Sequence, residues 1–477
     1  MAFCLKGAFA IKIIRLRSRL MIFLMLGLFA LTIAYFCYSV YIYGGRWVAS
    51  PYNPRINNQK RYVKMGQVMD RSGVVLAYTG TDGKRHYNSS EKIRRSVSQV
   101  VGDSDGKVST GVDTFHAQYL LGFKTSLFER VRDAVTGQEQ EGDSLELTIS
   151  SELSGYITEQ FPSGKRGAVV VMNYKTAEVL AMVSLPQFDP VNLEAALGDP
   201  EAGALMNRCT QGLYPPGSTF KIVTMISAVD HLSNLDDFAF DCTGYYPVGN
   251  YSVTETSAHG IQNLRSAFAN SCNTTFAALS QQLGYRLIGD TAGQLGFNEN
   301  FMFNDMIVYN SSYPIDDLSP EDLAWSSIGQ GRVLATPLHM ALIACTIANR
   351  GVFKEPRLLH RIITAGGSDR ILPFVAADRS VITYTTAERL EQDMIDVVRN
   401  GTGTRAALSN YTVAGKTGSA EVSNDKSVDA HAWFVGYVTD SAAPYAVCVL
   451  IENGGSGGRN AAPLARKVLQ KAIQMKL

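Results

Sequence analysis

The 477-residue sequence predicts an α+β fold, an antiparallel sheet flanked by helices, with a smaller N-terminal domain and one apolar N-terminal helix ahead of it. Three observations predict it. Apolar, β-rich runs at 168–172 and 179–184 are answered near the other end of the chain by runs at 411–414, 432–438 and 446–451. Between these groups the apolar residues recur with helical period, as at 220–232. At the start, residues 20–45 contain no charged side chain.

Taken in order, residues 20–45 are long enough, at about 1.5 Å per residue, to span a bilayer core of roughly 30 Å with some tilt. Tyr35, Tyr38, Tyr41 and Tyr43 crowd the far end and Trp47 follows, as an interfacial aromatic belt requires. The run is too long for a cleaved signal peptide, and no small-x-small site closes it. Basic residues flank both ends, but the tight set Arg15, Arg17 and Arg19 places residues 1–19 on the cytoplasmic side. Everything after Trp47 is then expected outside the cell membrane, in a single-pass arrangement. Pro51, Asn53, Pro54, Asn57 and Asn58 make residues 46–61 a juxtamembrane stalk.

Residues 62–143 are polar, with short apolar runs broken by turn residues, and read as a small mixed domain. A denser pattern begins at Ser144, where LELTIS leads into a helix from about Ser151, so 144–477 is expected to form the main domain. The runs at 168–172 and 179–184 form a hairpin. Pro215-Pro216-Gly217 breaks the chain just before Ser218, and an apolar helix follows. Thr336-Pro337 provides an N-cap and first helical residue for a helix over 338–348. Residues 463–476 close the chain as an amphipathic helix.

Composition removes some functions. Lys plus Arg number 44 against 43 for Asp plus Glu, so the chain lacks the basic field of a nucleic-acid binder. The seven cysteines show no CxxC pair and no histidine at ligand spacing, so no zinc site is expected from spacing. Five cysteines follow the apolar helix, an odd number. Unpaired buried thiols are their expected state, with a Cys242–Cys272 bridge as the alternative.

Four Ser-x-x-Lys tetrads occur, beginning at Ser89, Ser104, Ser218 and Ser423. Only Ser218-Thr219-Phe220-Lys221 follows Pro-Pro-Gly and opens an apolar helix, which sets hydroxyl and amine one turn apart on one face. Serine is a weak nucleophile until a base takes its proton. Lys221 can be that base only when neutral. Lowering a lysine from about 10.4 to near 7 costs about 4 kcal/mol, which burial and a second cation can supply. A second lysine is therefore expected in the site.

The sequence offers it at Lys416-Thr417-Gly418, its only Lys-[Ser/Thr]-Gly triplet. The glycine lets a substrate backbone lie close to the strand, and Lys416 with Thr417 can hold a carboxylate. Between these motifs lies Ser271-Cys272-Asn273, the only Ser-x-Asn, whose hydroxyl can relay a proton while Asn273 holds an amide. Other features read as structure. Gly329-Gln330-Gly331 lacks the lysine of a phosphate loop, His259 stabilises a turn, His431 packs, and Arg71 makes an interdomain contact.

Three motifs in this order resemble the penicillin-binding proteins and serine β-lactamases. The stretches NRCTQGLYPPGSTFKI, SIGQGRVLATPLHMA, GTGT at 401–404, AGKTGSAE with HAWFVGY, and GAVVVMNYKTAEVLAMVSLPQFDP resemble the transpeptidase domain of class B penicillin-binding proteins. MGQVMDRSGVVLA and GVDTFHAQYLLG extend a weaker likeness over 66–122. Ala177 stands where the family usually has glycine, Asp113 where it has glutamate, and Ser419 where it has threonine.

The resemblance implies a transpeptidase domain over 144–477 on a pedestal over 62–143. It implies Ser218 as nucleophile, Lys221 as base, Ser271 and Asn273 as relay and substrate holder, and Lys416 and Thr417, with Gly418, as carboxylate anchor. The backbone N–H groups of Ser218 and Ser419 would form an oxyanion hole. No metal or cofactor is implied. Partners would be peptidoglycan stem peptides, β-lactam antibiotics, the membrane and a separate glycan polymerase, with no nucleic acid. The rival readings are a β-lactamase, a β-lactam sensor, a silent scaffold and a D,D-carboxypeptidase. Against the last, no glutamate lies in a recognisable water-activating loop near the motifs.

Overall fold

The computed structural model describes residues 2–48, 60, 62–123, 140–301, 303–316, 318–370, 372, 377–423, 425 and 427–477. The stalk prolines and asparagines at 51–58 lie outside the described residues. Helix α1, Ala2–Val48, begins well before the uncharged run. Its segment Arg15–Val40 is long and apolar enough, by length and composition, to cross a membrane.

Five strands build the main sheet: β1 Gly167–Asn173, β2 Val179–Leu185, β3 Val413–Ala420, β4 His431–Val438 and β5 Tyr445–Ile451. They lie in the order β3-β4-β5-β1-β2, and every neighbouring pair is antiparallel. Both ends of the chain thus meet in one sheet. The helices that serve it are α2 Ser151–Gln160, α3 Lys221–His231, α4 Leu264–Ala269, α5 Asn273–Gln294, α6 Pro337–Ala348, α7 Tyr384–Arg399 and α8 Ala462–Met475.

Side chains alternate across a strand, so one strand feeds two cores. Val169, Val171, Val447 and Val449 pack with Leu153 and Ile157 of α2 and Leu464, Val468 and Leu469 of α8. Ala168, Val170, Met172, Cys448 and Leu450 join the larger core with Met340, Ile343 and Ile347 of α6. Helices on both faces explain why these strands are apolar throughout. Helix α6 begins as expected, with Thr336 Oγ1 accepting from the His339 N–H at 3.2 Å and Pro337 at the first turn.

The strand expected at 411–414 runs on to Ala420, so Lys416, Thr417 and Gly418 lie inside it. Pairing with β4 in unbroken register, from Val413 opposite Val438 to Ala420 opposite His431, overrides the low strand propensity of GKTGSA.

A second sheet joins the N-terminal region to the rest. Val68–Met69 pairs in parallel with Ser144–Leu147, which pairs antiparallel with Leu359–Ile363, so this sheet crosses the 143/144 boundary. Asp70 reinforces the junction. Its carboxylate accepts from the N–H and hydroxyl of Ser151 at 3.1 and 2.6 Å, and from Ser72 and Val74 on its own side. Burial pushes the Asp70 carboxyl up, yet these hydrogen bonds outweigh it and hold it below the usual range. Asp113 is buried in a bidentate pair with Arg85, at 3.1 and 2.6 Å. Arg71 reaches Thr148 O at 3.4 Å across the same junction.

Ala177 sits in the hairpin turn with φ of 60°, the left-handed region that disfavours a Cβ. A glycine, the residue that the resemblance implies there, would carry no such penalty. Ala177→Gly is expected to stabilise the fold by about 0.5–1 kcal/mol, relief of strain exceeding the added unfolded-state entropy. Denaturant unfolding of both forms measures it, and a destabilised glycine variant would refute the strain.

Candidate active site

Ser218 lies in a short 3-10 turn, Gly217–Thr219, that runs straight into α3. Gly217 is required there. Its φ is 54°, and a Cβ would stand 3.1 Å from the Ser419 carbonyl oxygen. From the facing strand, a Cβ on Gly418 would meet the Pro216 carbonyl at 2.9 Å. The Ser218 turn and β3 therefore touch backbone to backbone. The turn is held from behind by Gly217 N–H to Gly329 O at 2.9 Å and by Trp433 Nε1–H to Pro215 O at 3.1 Å. Ser218 is half-buried, while Lys221, one turn on, is fully buried.

Ser271 is placed by a helix ending. Helix α4 is capped by Asn270, after which the Ser271 N–H donates to Phe268 O and the Cys272 N–H to Ala267 O, the two bonds of a Schellman motif. This motif needs a left-handed residue, usually glycine. Ser271 takes that role with φ of 60°. A side chain held in a sparsely populated conformation costs on the order of 1–3 kcal/mol and is found where geometry serves function. Its reward here is position, because α5 starts at Asn273 and both polar side chains turn toward α3.

Both lysines converge on this turn. Lys221 Nζ donates to Ser271 O at 2.6 Å and Asn273 Oδ1 at 2.8 Å, and lies 3.4 Å from Ser271 Oγ. Lys416 Nζ donates to the same hydroxyl at 2.8 Å and to Thr417 O at 3.2 Å. Phe276 and Phe268 present their rings to the two amines at 5.3 and 5.4 Å. Burial pushes Lys221 down to about 8, with the Glu255 charge pulling the other way. Burial, and then the charge of Lys221, push Lys416 well below its ordinary value. No hydrogen bond joins Lys221 to Ser218 among the described residues, and such contacts commonly tighten only once substrate is bound.

Strand β3 is the edge of its sheet beside Ser218. Thr417 Oγ1 lies 2.6 Å from Thr402 Oγ1, so two hydroxyls sit together next to Lys416. Ser419 is exposed, and its Oγ accepts from the Gly457 N–H at 3.1 Å. All eight residues singled out in the three motifs, Ser218, Lys221, Ser271, Asn273 and 416–419, thus belong to one neighbourhood. Of the other tetrads, the one at Ser89 lies elsewhere, with Lys92 paired to Glu159 at 2.6 Å on the surface, and Lys426 of the one at Ser423 lies outside the described residues.

Sequence reasoning missed three things. Thr402 had a signal, since GTGT was conspicuous, but nothing tied it to Thr417. Glu255 had none. It lies in no recognisable water-activating loop, yet its carboxylate accepts from the backbone N–H groups of Asn273 and Thr274. The third is a cluster of Cys242, His259 and Cys272, whose donor atoms lie within 4.8 Å of one another. His259 Nδ1 is 3.4 Å from Cys242 Sγ, and both cysteines are free thiols. Two sulfurs and an imidazole could hold a zinc-type ion with one further ligand. Their spacing matches no ligand motif, and only the fold assembles them. His431 packs as expected, its ring edge-on to Tyr214 and its Nδ1 accepting from the Asn453 N–H at 3.0 Å.

Residues 167–470 match the model of the penicillin-binding protein transpeptidase domain family. Among curated proteins, the chain is 29% identical to the peptidoglycan D,D-transpeptidase PbpA of Mycolicibacterium smegmatis, covering 89% of this chain and 92% of that one. Among solved structures it is similar to penicillin-binding protein A from M. tuberculosis as a ceftriaxone acyl-enzyme complex. The TM-score is 0.79 at 28% identity, over 87% of this chain and 99% of that one. The penicillin G acyl-enzyme complex of the same protein gives 0.76 at 27% identity, over 86% and 99%.

Gly329, in the segment read from sequence as structural, carries the tightest constraint behind the Ser218 turn. Its φ is 75°, and a Cβ would fall 2.2 Å from Gly217 O. Gly329→Ala is expected to cost about 2–4 kcal/mol of stability and to displace the turn. A melting curve equal to the parent's would show that the turn tolerates the clash.

Proposed function

The chain belongs to the penicillin-binding protein transpeptidase family, and from that premise we propose that it is a serine-type peptidoglycan D,D-transpeptidase with Ser218 as its acylated nucleophile. One observation carries the reading of the site: two buried lysines, one a single turn along from Ser218 and the other on the edge strand β3, share the Ser271 hydroxyl.

A stem peptide ending in D-Ala-D-Ala lies along β3, its terminal carboxylate against Lys416 and the Thr417 and Thr402 hydroxyls, its amide on Asn273. A carboxylate beside Lys416 favours the charged amine. Neutral Lys221 accepts the Ser218 proton as Oγ attacks the carbonyl carbon of the penultimate residue. The backbone N–H groups of Ser218 and Ser419 receive the developing oxyanion, usually a large part of catalysis. A proton passed through Ser271 reaches the leaving nitrogen, D-alanine departs, and the acyl-enzyme remains. An amine of a neighbouring stem peptide then attacks that ester and loses its proton to the same groups. A β-lactam enters as a mimic of the D-Ala-D-Ala end, which accords with acyl-enzyme complexes of the similar solved protein. Helix α1 anchors the chain in the membrane with residues 1–19 inside and the pedestal and transpeptidase regions outside. Glycan strands come from a separate polymerase.

A fluorescent penicillin is expected to label the protein at Ser218, and Ser218→Ala to abolish labelling. An adduct on Ser89, Ser104 or Ser423 in that variant would sink the assignment.

The pH dependence follows from Lys221, held at about 8. Below that value the amine is protonated and cannot accept the serine proton. The acylation rate should rise roughly tenfold per pH unit up to about 8 and level off above it. A rate independent of pH from about 6 to 9 would remove Lys221 as the base.

A further inference from the structure

Helix α5 begins at the residue that completes the Ser-x-Asn motif, and the side chain of its N-cap residue, Cys272, bonds to the Thr274 and Thr275 hydroxyls but caps none of the helix's first N–H groups. The first N–H groups of a helix need acceptors, and a negative charge there is favoured by the aligned peptide dipoles. Glu255 fills that role from another part of the chain. It follows strand Tyr251–Thr254, and its Oε1 accepts from the N–H groups of Asn273 and, at 3.3 Å, Thr274.

This cap lies two residues beyond Ser271, whose left-handed conformation persists only where its surroundings hold it. We infer that Glu255 is a positioning residue that pins the Ser271-to-Asn273 turn onto α5 and sets a negative charge near Lys221, whose amine bonds the same Asn273. The inference rests on the reading of Ser218 as nucleophile and Lys221 as base. The groups facing Lys221 are Glu255, Cys272 from the turn and Lys416 from β3, with neutral Ser271 and Asn273. Among them the Glu255 charge most favours the protonated amine, opposing burial. Removing that charge while keeping an acceptor oxygen lowers the proton affinity of Lys221, so the neutral base becomes available at lower pH. Shortening the side chain while keeping the charge leaves the proton affinity but loosens the turn.

The test is the rate of acylation by a fluorescent penicillin, measured on the full chain between about pH 5 and 10. Glu255→Gln is expected to move the midpoint down by about one pH unit with the plateau within about threefold of the parent. Glu255→Asp is expected to hold the midpoint and lower the plateau about tenfold, since small displacements of reacting groups are costly. A Gln variant with an unshifted or raised midpoint overturns the charge role. An Asp variant with the parental plateau overturns the positioning role. If the Gln variant fails to fold, the Asp variant decides alone. Should the parent carry no adduct on Ser218, the failure belongs to the proposed function and not to Glu255.

Discussion

Lys221 and Lys416 are both buried, and both reach the hydroxyl of Ser271, at 3.4 and 2.8 Å. Holding two ammonium groups together without water is costly, and proteins relieve the cost by releasing a proton. That release is what makes an amine able to take a proton from serine at all. The constraint reaches outward. Every polar atom around the pair must either accept from an amine or be satisfied elsewhere, which is why Ser271 O, Asn273 Oδ1 and Thr417 O all point inward. Aromatic rings of Phe268 and Phe276 close the remaining sides without adding charge.

Holding these groups still falls to the sheet and two helix ends. Strand β3 is the edge of a five-stranded sheet whose other strands are buried on both faces, so the strand bearing Lys416 is rigidly supported yet open on one side. The Ser218 turn presses on that strand closely enough to demand glycine at both 217 and 418. The end of α4 and the start of α5 set Ser271 and Asn273 opposite α3. Strain at Ser271 and the external cap on α5 belong to one device, a turn kept in an unfavourable conformation by what packs around it.

The N-terminal region is not loosely appended. A sheet running from Val68 through Ser144–Leu147 to Leu359–Ile363, with Asp70 reaching across to Ser151, ties it to the part that carries the site. The bidentate Arg85–Asp113 pair is buried within it and holds it from inside.

Much of this was legible in the chain itself. Alternating or continuous apolar runs set the five strands, because strand and helix periods are local properties of sequence. The three motifs were legible because their chemistry is bound to residue type, and the choice of Ser218 among four tetrads rested on Pro-Pro-Gly and the helix after it. The uncharged run near the N-terminus was equally plain. What only the tertiary structure decided was set by contacts between distant segments. The extension of β3 across GKTGSA came from pairing with β4, against local propensity. Glu255 and the grouping of Cys242, His259 and Cys272 gave no sequence signal, and GTGT gave none that tied Thr402 to Thr417, because these partners are set by the fold and not by spacing. The left-handed backbone at Ala177 and Ser271 was hidden for a related reason: neither residue type favours it, and only surrounding structure can enforce it.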